Sequence, residues 1–271
     1  MKLRLILFLI VTFNFAFSQT SKIETDALKK YSSYILKSYN TNANWSIKYI
    51  LKRGLVQEEE NYKDDEFRSI QKNTYDKKNN LVYKVLIFKN TFNDQKMDTL
   101  SEKFLKYDDK NRLVELRDII KFSVTKLTDD ATGIEVYSDF DKNSNAKLIS
   151  RYNGDYKPVY YGYSKENREF DNKGNLIKEE KIELKYAQKD ESSQILKVET
   201  NVYQYDKYGN VIEVKRNFEP KKELPYTGLD GLTIYETENY EYEYNDKGLW
   251  LKKYRIVEGK KKLLEERIFN K

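Results

Sequence analysis

Tyrosine is the residue type whose spacing could do most chemistry in this sequence. The chain of 271 residues contains 24 tyrosines and 13 phenylalanines. Alternating positions, as in Tyr240, Tyr242 and Tyr244, place the rings on one face of a β-strand. The structural interpretation is a face that buries its rings and keeps its hydroxyls in water. The functional interpretation is an aromatic surface that stacks on sugar rings, formed by Tyr160, Tyr161, Tyr163, Tyr203, Tyr205, Tyr240, Tyr242, Tyr244 and Trp250.

The residue types that are absent exclude several kinds of catalytic and metal site. The chain contains no histidine and no cysteine, which excludes a Ser-His-Asp triad, a cysteine nucleophile and a histidine- or cysteine-ligated metal. The sequence also contains neither a Walker motif nor a dinucleotide-binding glycine motif. We therefore expect no cofactor and no enzymatic activity. The alternative is a hydrolase that uses only Asp, Glu and Tyr.

Two acidic patterns are similar to known sites but have simpler explanations. Oxygen-bearing residues alternate from Asp139 to Asn145 as in a calcium loop, but Ser144 stands where that loop needs glycine. Adjacent acids such as Glu58 to Glu60 would supply a glycosidase pair, yet neighbours on a strand point to opposite faces. We therefore predict no metal site and no catalytic residue.

Six copies of an aromatic residue followed by Asp or Asn organise most of the chain. Their separations are 30 to 39 residues, and each copy continues into a turn and an apolar pair. The clearest copies run from Phe170 to Ile177 and from Tyr205 to Ile212. A regular period of this length is the signature of a repeat fold. The copies begin at Tyr75, Tyr107, Phe140, Phe170, Tyr205 and Tyr244.

Each copy has the residues of a hairpin turn. Its Asp can accept a hydrogen bond from the amide two residues on, which forms an Asx turn. The residue three positions after the Asp needs a left-handed backbone, which glycine and asparagine adopt at low cost. Ser144 takes this position in the third copy, so we expect that turn to be looser. The predicted turn residues are Asp76, Asp108, Asp141, Asp171, Gly174, Asp206, Gly209 and Gly248.

These patterns predict an all-β fold. Two antiparallel strands per copy give about twelve strands, more than an open sheet holds without curling or closing. We predict a curled or spiral antiparallel meander over residues 45–271, with the connection from Glu219 to Gly231 as the best candidate for a functional loop. Residues 19–44 are predicted to form one N-terminal α-helix and a linker, because Ser21 opens a capping box and apolar residues recur at spacing four as far as Tyr39.

The motif aromatic-Asp-x-x-Gly-Asn-aliphatic-aliphatic resembles the YD repeat of Rhs proteins and teneurins. The resemblance extends over about residues 45–271, and the two clearest copies match it closely. It implies an antiparallel meander that spirals into a shell or a curved ribbon. It also implies carbohydrate binding, which is attributed to YD repeats. A toxin-associated or immunity-type accessory protein is the alternative, since large Rhs proteins enclose a toxin.

Residues 1–18 have the pattern of a secretory signal peptide. Lys2 and Arg4 precede an apolar run from Leu5 to Phe17, and Ala16 and Ser18 form a cleavage site. This run is shorter than the ~20 residues of a spanning helix, and without cysteine the chain is not a lipoprotein. The stretch resembles signal peptides of Bacteroidota-type bacteria. We expect a secreted or periplasmic protein with no stable membrane anchor after cleavage.

Charge patterning narrows the expected partners. Lysine and arginine total 50 and aspartate and glutamate total 44, so the formal net charge is +6. Basic and acidic residues are interleaved, which argues against a continuous surface for nucleic acid. We therefore expect a non-enzymatic binding or scaffold protein of the bacterial envelope, in contact with glycan or with an envelope or secreted protein through an aromatic sheet face.

Overall fold

The protein is a closed antiparallel β-barrel in the computed structural model, which describes residues 22–39, 44–89, 96–121, 130–156, 163–186, 193–227 and 233–271. Within these ranges no helix is long and apolar enough to cross a membrane. One short helix, α1 (Lys22–Leu28), precedes the strands. The strands are β1 (Ser33–Ser38), β2 (Trp45–Lys52), β3 (Leu55–Lys63), β4 (Glu66–Tyr75), β5 (Leu81–Lys89), β6 (Met97–Tyr107), β7 (Leu113–Ile120), β8 (Ala131–Phe140), β9 (Ala146–Asn153), β10 (Tyr163–Phe170), β11 (Leu176–Tyr186), β12 (Ser193–Tyr205), β13 (Val211–Glu219), β14 (Tyr226–Thr227), β15 (Thr233–Ile234), β16 (Thr237–Tyr244), β17 (Trp250–Val257) and β18 (Lys260–Asn270).

Sixteen of these strands form the barrel, and β14 and β15 form a separate two-stranded sheet. Each barrel strand pairs with the next one along the chain, with β13 pairing directly with β16. The first and last strands complete the ring, from Ser33 opposite Asn270 to Ser38 opposite Glu265. The barrel therefore has no free sheet edge.

The predicted all-β antiparallel fold is confirmed, but the predicted twelve-stranded curled or spiral meander is wrong. The six repeated turns do connect twelve strands, from β4 and β5 to β16 and β17. Strands β1, β2, β3 and β18 lie outside the repeat and close the barrel. The repeat motif does not mark them because their turns are two-residue pairs with positive φ, namely Arg53-Gly54, Asp64-Asp65 and Glu258-Gly259.

The predicted N-terminal helix is wrong beyond Leu28, because Ser33–Ser38 is a barrel strand. Tyr34 lies opposite Tyr49 on one side and Phe269 on the other. The rings of Tyr34 and Tyr49 stack with their centroids 4.5 Å apart. A spacing of four places residues on one face of a strand as well as of a helix. The apolar pattern therefore fits both structures, and pairing at both edges favours the strand.

Side chains alternate between a shielded inner face and an outer face. Glu238 on β16 and Val214 on β13 lie opposite each other and are buried, whereas their neighbours Thr237 and Lys215 are exposed. Cross-strand partners share a face, so the pairing registers assign the strand residues around the barrel to one face or the other. The inner face carries most of the buried acids and the tyrosines considered below.

Ion pairs lie on the outer wall of the barrel. Lys48 and Glu60 are 3.1 Å apart, and Lys72 and Glu58 are 3.7 Å apart, at the middle of their strands. A membrane barrel presents a continuous apolar band instead, because a lysine near the bilayer midplane costs about 2–4 kcal/mol. The outer wall at β2, β3 and β4 is therefore suited to water rather than to lipid.

The two ends of the barrel differ in their connections. The six repeated turns, the turn between β2 and β3 and the helix α1 lie at one end, the turn end. The opposite end, the loop end, holds the longer connections, including the one that joins β13 to β16. The predicted functional connection from Glu219 to Gly231 belongs to the loop end, and its residues 228–231 lie outside the described ranges.

Candidate functional site

All six repeated turns have the same hydrogen bonds. In the fifth turn, the Asp206 carboxylate accepts the backbone N–H groups of Tyr208 and Asn210 at 2.8 and 2.9 Å. The Gly209 N–H donates to the Asp206 carbonyl at 3.2 Å. Positive φ values of 64° to 86° occur three positions after the acid or its Asn equivalent, at Asn79, Asn111, Ser144, Gly174, Gly209 and Gly248.

The prediction of a looser third turn is wrong. The N–H of Ser144 donates to the Asp141 carbonyl at 3.1 Å, and the N–H of Asn145 donates to the Asp141 carboxylate at 2.9 Å. The carboxylate thus holds this turn as it holds the others, and the serine adopts the left-handed backbone. The oxygens of the Asp141 carboxylate accept hydrogen bonds within the turn. Within the described ranges, no group of acids able to hold a metal ion occurs.

Two motif tyrosines link their hairpin to the one before it, whereas Phe140 and Phe170 have no hydroxyl group that could do so. The Tyr107 hydroxyl donates to the Leu81 carbonyl at 3.0 Å, and the Tyr205 hydroxyl donates to the Leu176 carbonyl at 2.6 Å. Both acceptors are the first residue after the preceding turn. Burial raises the pKa of Tyr205 to about 12. No pattern in the sequence indicates this bond, because the acceptor is a backbone group 26 or 29 residues away.

Five predicted site tyrosines lie on the inner face of β12 and β16, with β13 between these two strands, and we call them the tyrosine wall. Their rings are partly exposed. Their hydroxyls all donate to protein acceptors, which corrects the expectation that these groups are in water. The donors are Tyr203, Tyr205, Tyr240, Tyr242 and Tyr244, and the acceptors are Glu179, the Leu176 carbonyl, Glu238, the Val211 carbonyl and Asp206, in that order.

Of the other predicted site residues, Trp250 adjoins this wall, since its ring meets that of Tyr242 edge-on with the centroids 6.0 Å apart. Trp250 is buried at the turn end, where the Arg267 guanidinium lies 3.8 Å from its ring centroid. Tyr163 lies towards the loop end, and its hydroxyl accepts a hydrogen bond from Lys197 at 2.7 Å. Tyr160 and Tyr161 lie outside the described ranges.

A network of ion pairs continues the inner face beside the tyrosine wall. Arg151 donates to Glu135 at 2.9 Å and to Glu166 at 2.8 Å, and Arg168 donates to Glu166 at 2.5 Å. Burial by itself raises the pKa of Glu166, but the two guanidinium groups outweigh it and lower the pKa to about 2. Glu166 is therefore ionised at neutral pH, although its side chain is only 2% exposed.

Glu179 lies next to this network with the opposite shift. Burial and the neighbouring Glu166 raise its pKa, although the ammonium group of Lys181 is 3.1 Å from its carboxylate. Two neighbouring carboxyl groups whose pKa values are shifted in opposite directions are a pattern found in acid–base catalysis. Both side chains here are buried and bonded to neighbouring wall residues, so the arrangement is that of a structural pair without substrate access.

A second cluster of charged side chains lies near the loop end of the barrel, around Glu238. The Glu238 carboxylate forms ion pairs with the guanidinium groups of Arg216 at 2.8 Å and of Arg255 at 3.4 Å. Arg216 also donates to the Tyr235 carbonyl at 3.2 Å, and the Arg255 guanidinium lies 4.9 Å from the Tyr235 ring centroid. These contacts fix the described end of the connection between β13 and β16 to the inner wall.

The helix α1 occupies the turn end. The Arg267 guanidinium donates to Glu24 of the helix at 2.7 Å. Leu28, at the end of the helix, is 1% exposed and packs with Leu51 and Leu249. The helix thus covers the part of the turn end between the first and last strands.

Comparisons with known proteins give no family. No protein-family model matches the chain, and no curated protein matches it. Among solved structures, a porin-like protein from Bacteroides uniformis is 10% identical, with a TM-score of 0.47, over 89% of this chain and 98% of its own. The Tc holotoxin pore of Photorhabdus luminescens is 15% identical, with a TM-score of 0.33, over 82% of this chain. The match spans 9% of that toxin chain, and both similarities are too low to assign a function.

Proposed function

We propose that this protein is an exported, non-enzymatic binding protein of the bacterial envelope that holds a glycan against the tyrosine wall. The observation that carries this proposal is the position, exposure and fixed orientation of the five tyrosine rings. They lie on the inner face of two strands that flank β13, are partly exposed, and have their hydroxyls fixed by protein acceptors. Rings that are already ordered lose little conformational entropy when a ligand stacks on them.

The rest of the inner face supports a neutral polar ligand. Every residue of β5 is partly exposed, inward and outward alike, so its inward side chains do not form a closed core. Barrels of sixteen strands leave an aqueous channel. Basic and acidic groups on the inner face are paired with each other, as in Lys103 with Asp118 and Lys253 with Glu265. A wall of rings and paired charges suits sugar hydroxyls better than a free ion.

Two features support export to the periplasm or the exterior. Residues 1–18, which lie outside the described ranges, have the pattern of a signal peptide. The ion pairs of the outer wall suit a protein that is not anchored in the membrane once the signal peptide has been cleaved. The envelope location in this proposal therefore depends on the leader and the outer wall, both of which are properties of this chain.

A role as a toxin-associated or immunity-type accessory protein is the second candidate. The observation that favours it is the regularity of the six turns, together with two matching tyrosine bonds between hairpins, as a YD-like repeat would need. We propose membership of that repeat family on the same ground. A hydrolase function is disfavoured, because the acid pair with divided pKa values is buried in the wall.

Binding of residues 19–271 to a glycan array tests the proposal, with two variants of one wall residue. Tyr203→Phe keeps the ring and loses the hydrogen bond to Glu179, whereas Tyr203→Leu also loses the ring. Stacking predicts that the leucine variant binds the selected glycan up to about tenfold more weakly than the phenylalanine variant. Equal affinities at equal melting temperatures, or an array without any bound glycan, would contradict the proposal.

A further inference from the structure

A separate pocket opens at the turn end, between the turn of β2 and β3 and the first repeated turn. Its volume is about 390 Å³, which is within the range of small-ligand sites. It is distant in sequence from the tyrosine wall, which belongs to β12 and β16. We call it the rim pocket, and its polar and apolar lining includes Lys52, Arg53, Leu55, Thr74, Tyr75 and Asn79.

The rim pocket offers two cations that have no acidic partner. Lys52 and Arg53 are exposed, and neither makes an ion pair or a side-chain hydrogen bond within the described ranges. Asp76 also lines the pocket, but its carboxylate already accepts the N–H groups of Lys78 and Asn80, each at 2.8 Å. Two cations against the one carboxylate, whose pKa is lowered by these hydrogen bonds, leave the lining with a formal charge of 2 − 1 = +1 that an anionic group can neutralise.

The remaining lining residues suit a polar ring with an apolar face. Thr74 and Asn79 are exposed, and their side chains have no hydrogen-bond partner within the described ranges. The Tyr75 hydroxyl donates to the Val56 carbonyl at 2.8 Å, which fixes the ring within the lining of the pocket. Two neutral hydrogen-bonding groups and a fixed aromatic ring are the groups that recognise a sugar, and the two cations add recognition of a carboxylate.

We propose that the rim pocket binds a carboxylated sugar, such as a uronic acid residue. The sugar carboxylate pairs with Arg53 and Lys52 in charge-assisted hydrogen bonds. The sugar hydroxyls bind the side chains of Thr74 and Asn79, and its apolar face lies on Tyr75. This site is independent of the tyrosine wall, since the two share no residue.

The test is a titration of isotope-labelled residues 19–271 with glucuronate, followed by NMR chemical shifts at low ionic strength. Glucose and acetate serve as matched probes that lack either the carboxylate or the sugar ring. We expect glucuronate to bind at the rim and each of the other probes to bind at least about tenfold more weakly. The double variant Lys52→Gln/Arg53→Gln should lower the glucuronate affinity by about tenfold or more.

The matched control is Lys110→Gln/Lys142→Gln, which removes two cations from other turns at the same end of the barrel. We expect it to bind glucuronate as the unmodified protein does. Equal losses in the two double variants, equal affinity for acetate and glucuronate, or the absence of glucuronate binding would each overturn the proposal. A Tyr203→Leu variant with unchanged glucuronate binding would show that the two sites are separate.

Discussion

At the scale of single residues, the tyrosine hydroxyls are the most informative groups. A tyrosine in a sheet can leave its hydroxyl in water, but here the hydroxyls of Tyr203, Tyr205 and Tyr242 donate to a carbonyl or carboxylate oxygen of a neighbouring strand. Burial raises the pKa of Tyr205 to about 12, so its hydroxyl is a donor at any physiological pH. These residues therefore combine two roles, since the hydroxyl joins hairpins and the ring stays partly exposed.

Replacing Tyr205 by phenylalanine tests the first of these roles. The Leu176 carbonyl would lose its 2.6 Å side-chain donor, so we expect the free energy of unfolding to fall by about 1–2 kcal/mol. Tyr208→Phe is the control, because the Tyr208 hydroxyl has no hydrogen-bond partner within the described ranges. Urea denaturation of both variants provides the measurement, and equal losses would argue against a linking role for the Tyr205 hydroxyl.

At the scale of elements, the acid-led turn is the unit that repeats. In each turn, the carboxylate or amide side chain accepts hydrogen bonds from two backbone N–H groups. The residue three positions after this Asp or Asn has a left-handed backbone. In the second turn, Arg112 adds a charged contact, since its Nε donates to the Asp108 carboxylate at 2.7 Å. Side-chain and backbone hydrogen bonds from Arg112 lower the pKa of Asp108 below its ordinary value of 3.8.

The lowered pKa predicts a loss of stability in acid. A carboxyl group whose pKa is lower in the folded state stabilises the fold above its unfolded pKa, and this contribution is lost as the pH falls through the folded pKa. We therefore expect the melting temperature to fall as the pH drops below about 3.8, the ordinary pKa of aspartate. Asp108→Asn should reduce that slope, and an unchanged slope would mean that this turn does not contribute.

At the scale of the whole molecule, closure decides what each face contacts. The closed ring encloses the tyrosine wall and the ion pairs, and it leaves the outer charges at the middle of the strands. We expect residues 19–271 to remain dispersed in buffer without detergent, because charged side chains interrupt any apolar band. Light scattering and size-exclusion chromatography measure this, and a requirement for detergent would contradict our assignment of the outer wall.

The turns can be predicted from the sequence because their determinants are local. Asp206 and Gly209 are three residues apart, and a carboxylate and a left-handed backbone define the turn between them. The closing pair of strands is a non-local feature, since Ser33 meets Asn270 across the whole chain. Charged residues occur on both faces of the strands, so alternation alone does not identify the inner one. Glu166 is the most deeply buried acid of the inner face, yet a glutamate in a charge-rich strand is expected from the sequence to lie on the surface.

The meeting of the first and last strands has a consequence for biogenesis. Because residue 33 pairs with residue 270, a nascent polypeptide has two unsatisfied margins until the final segment has been delivered. Such margins recruit other chains, and contacts between distant segments form slowly. In the exported protein that we propose, this interval of exposed sheet edges would fall after translocation and end when β18 pairs with β1.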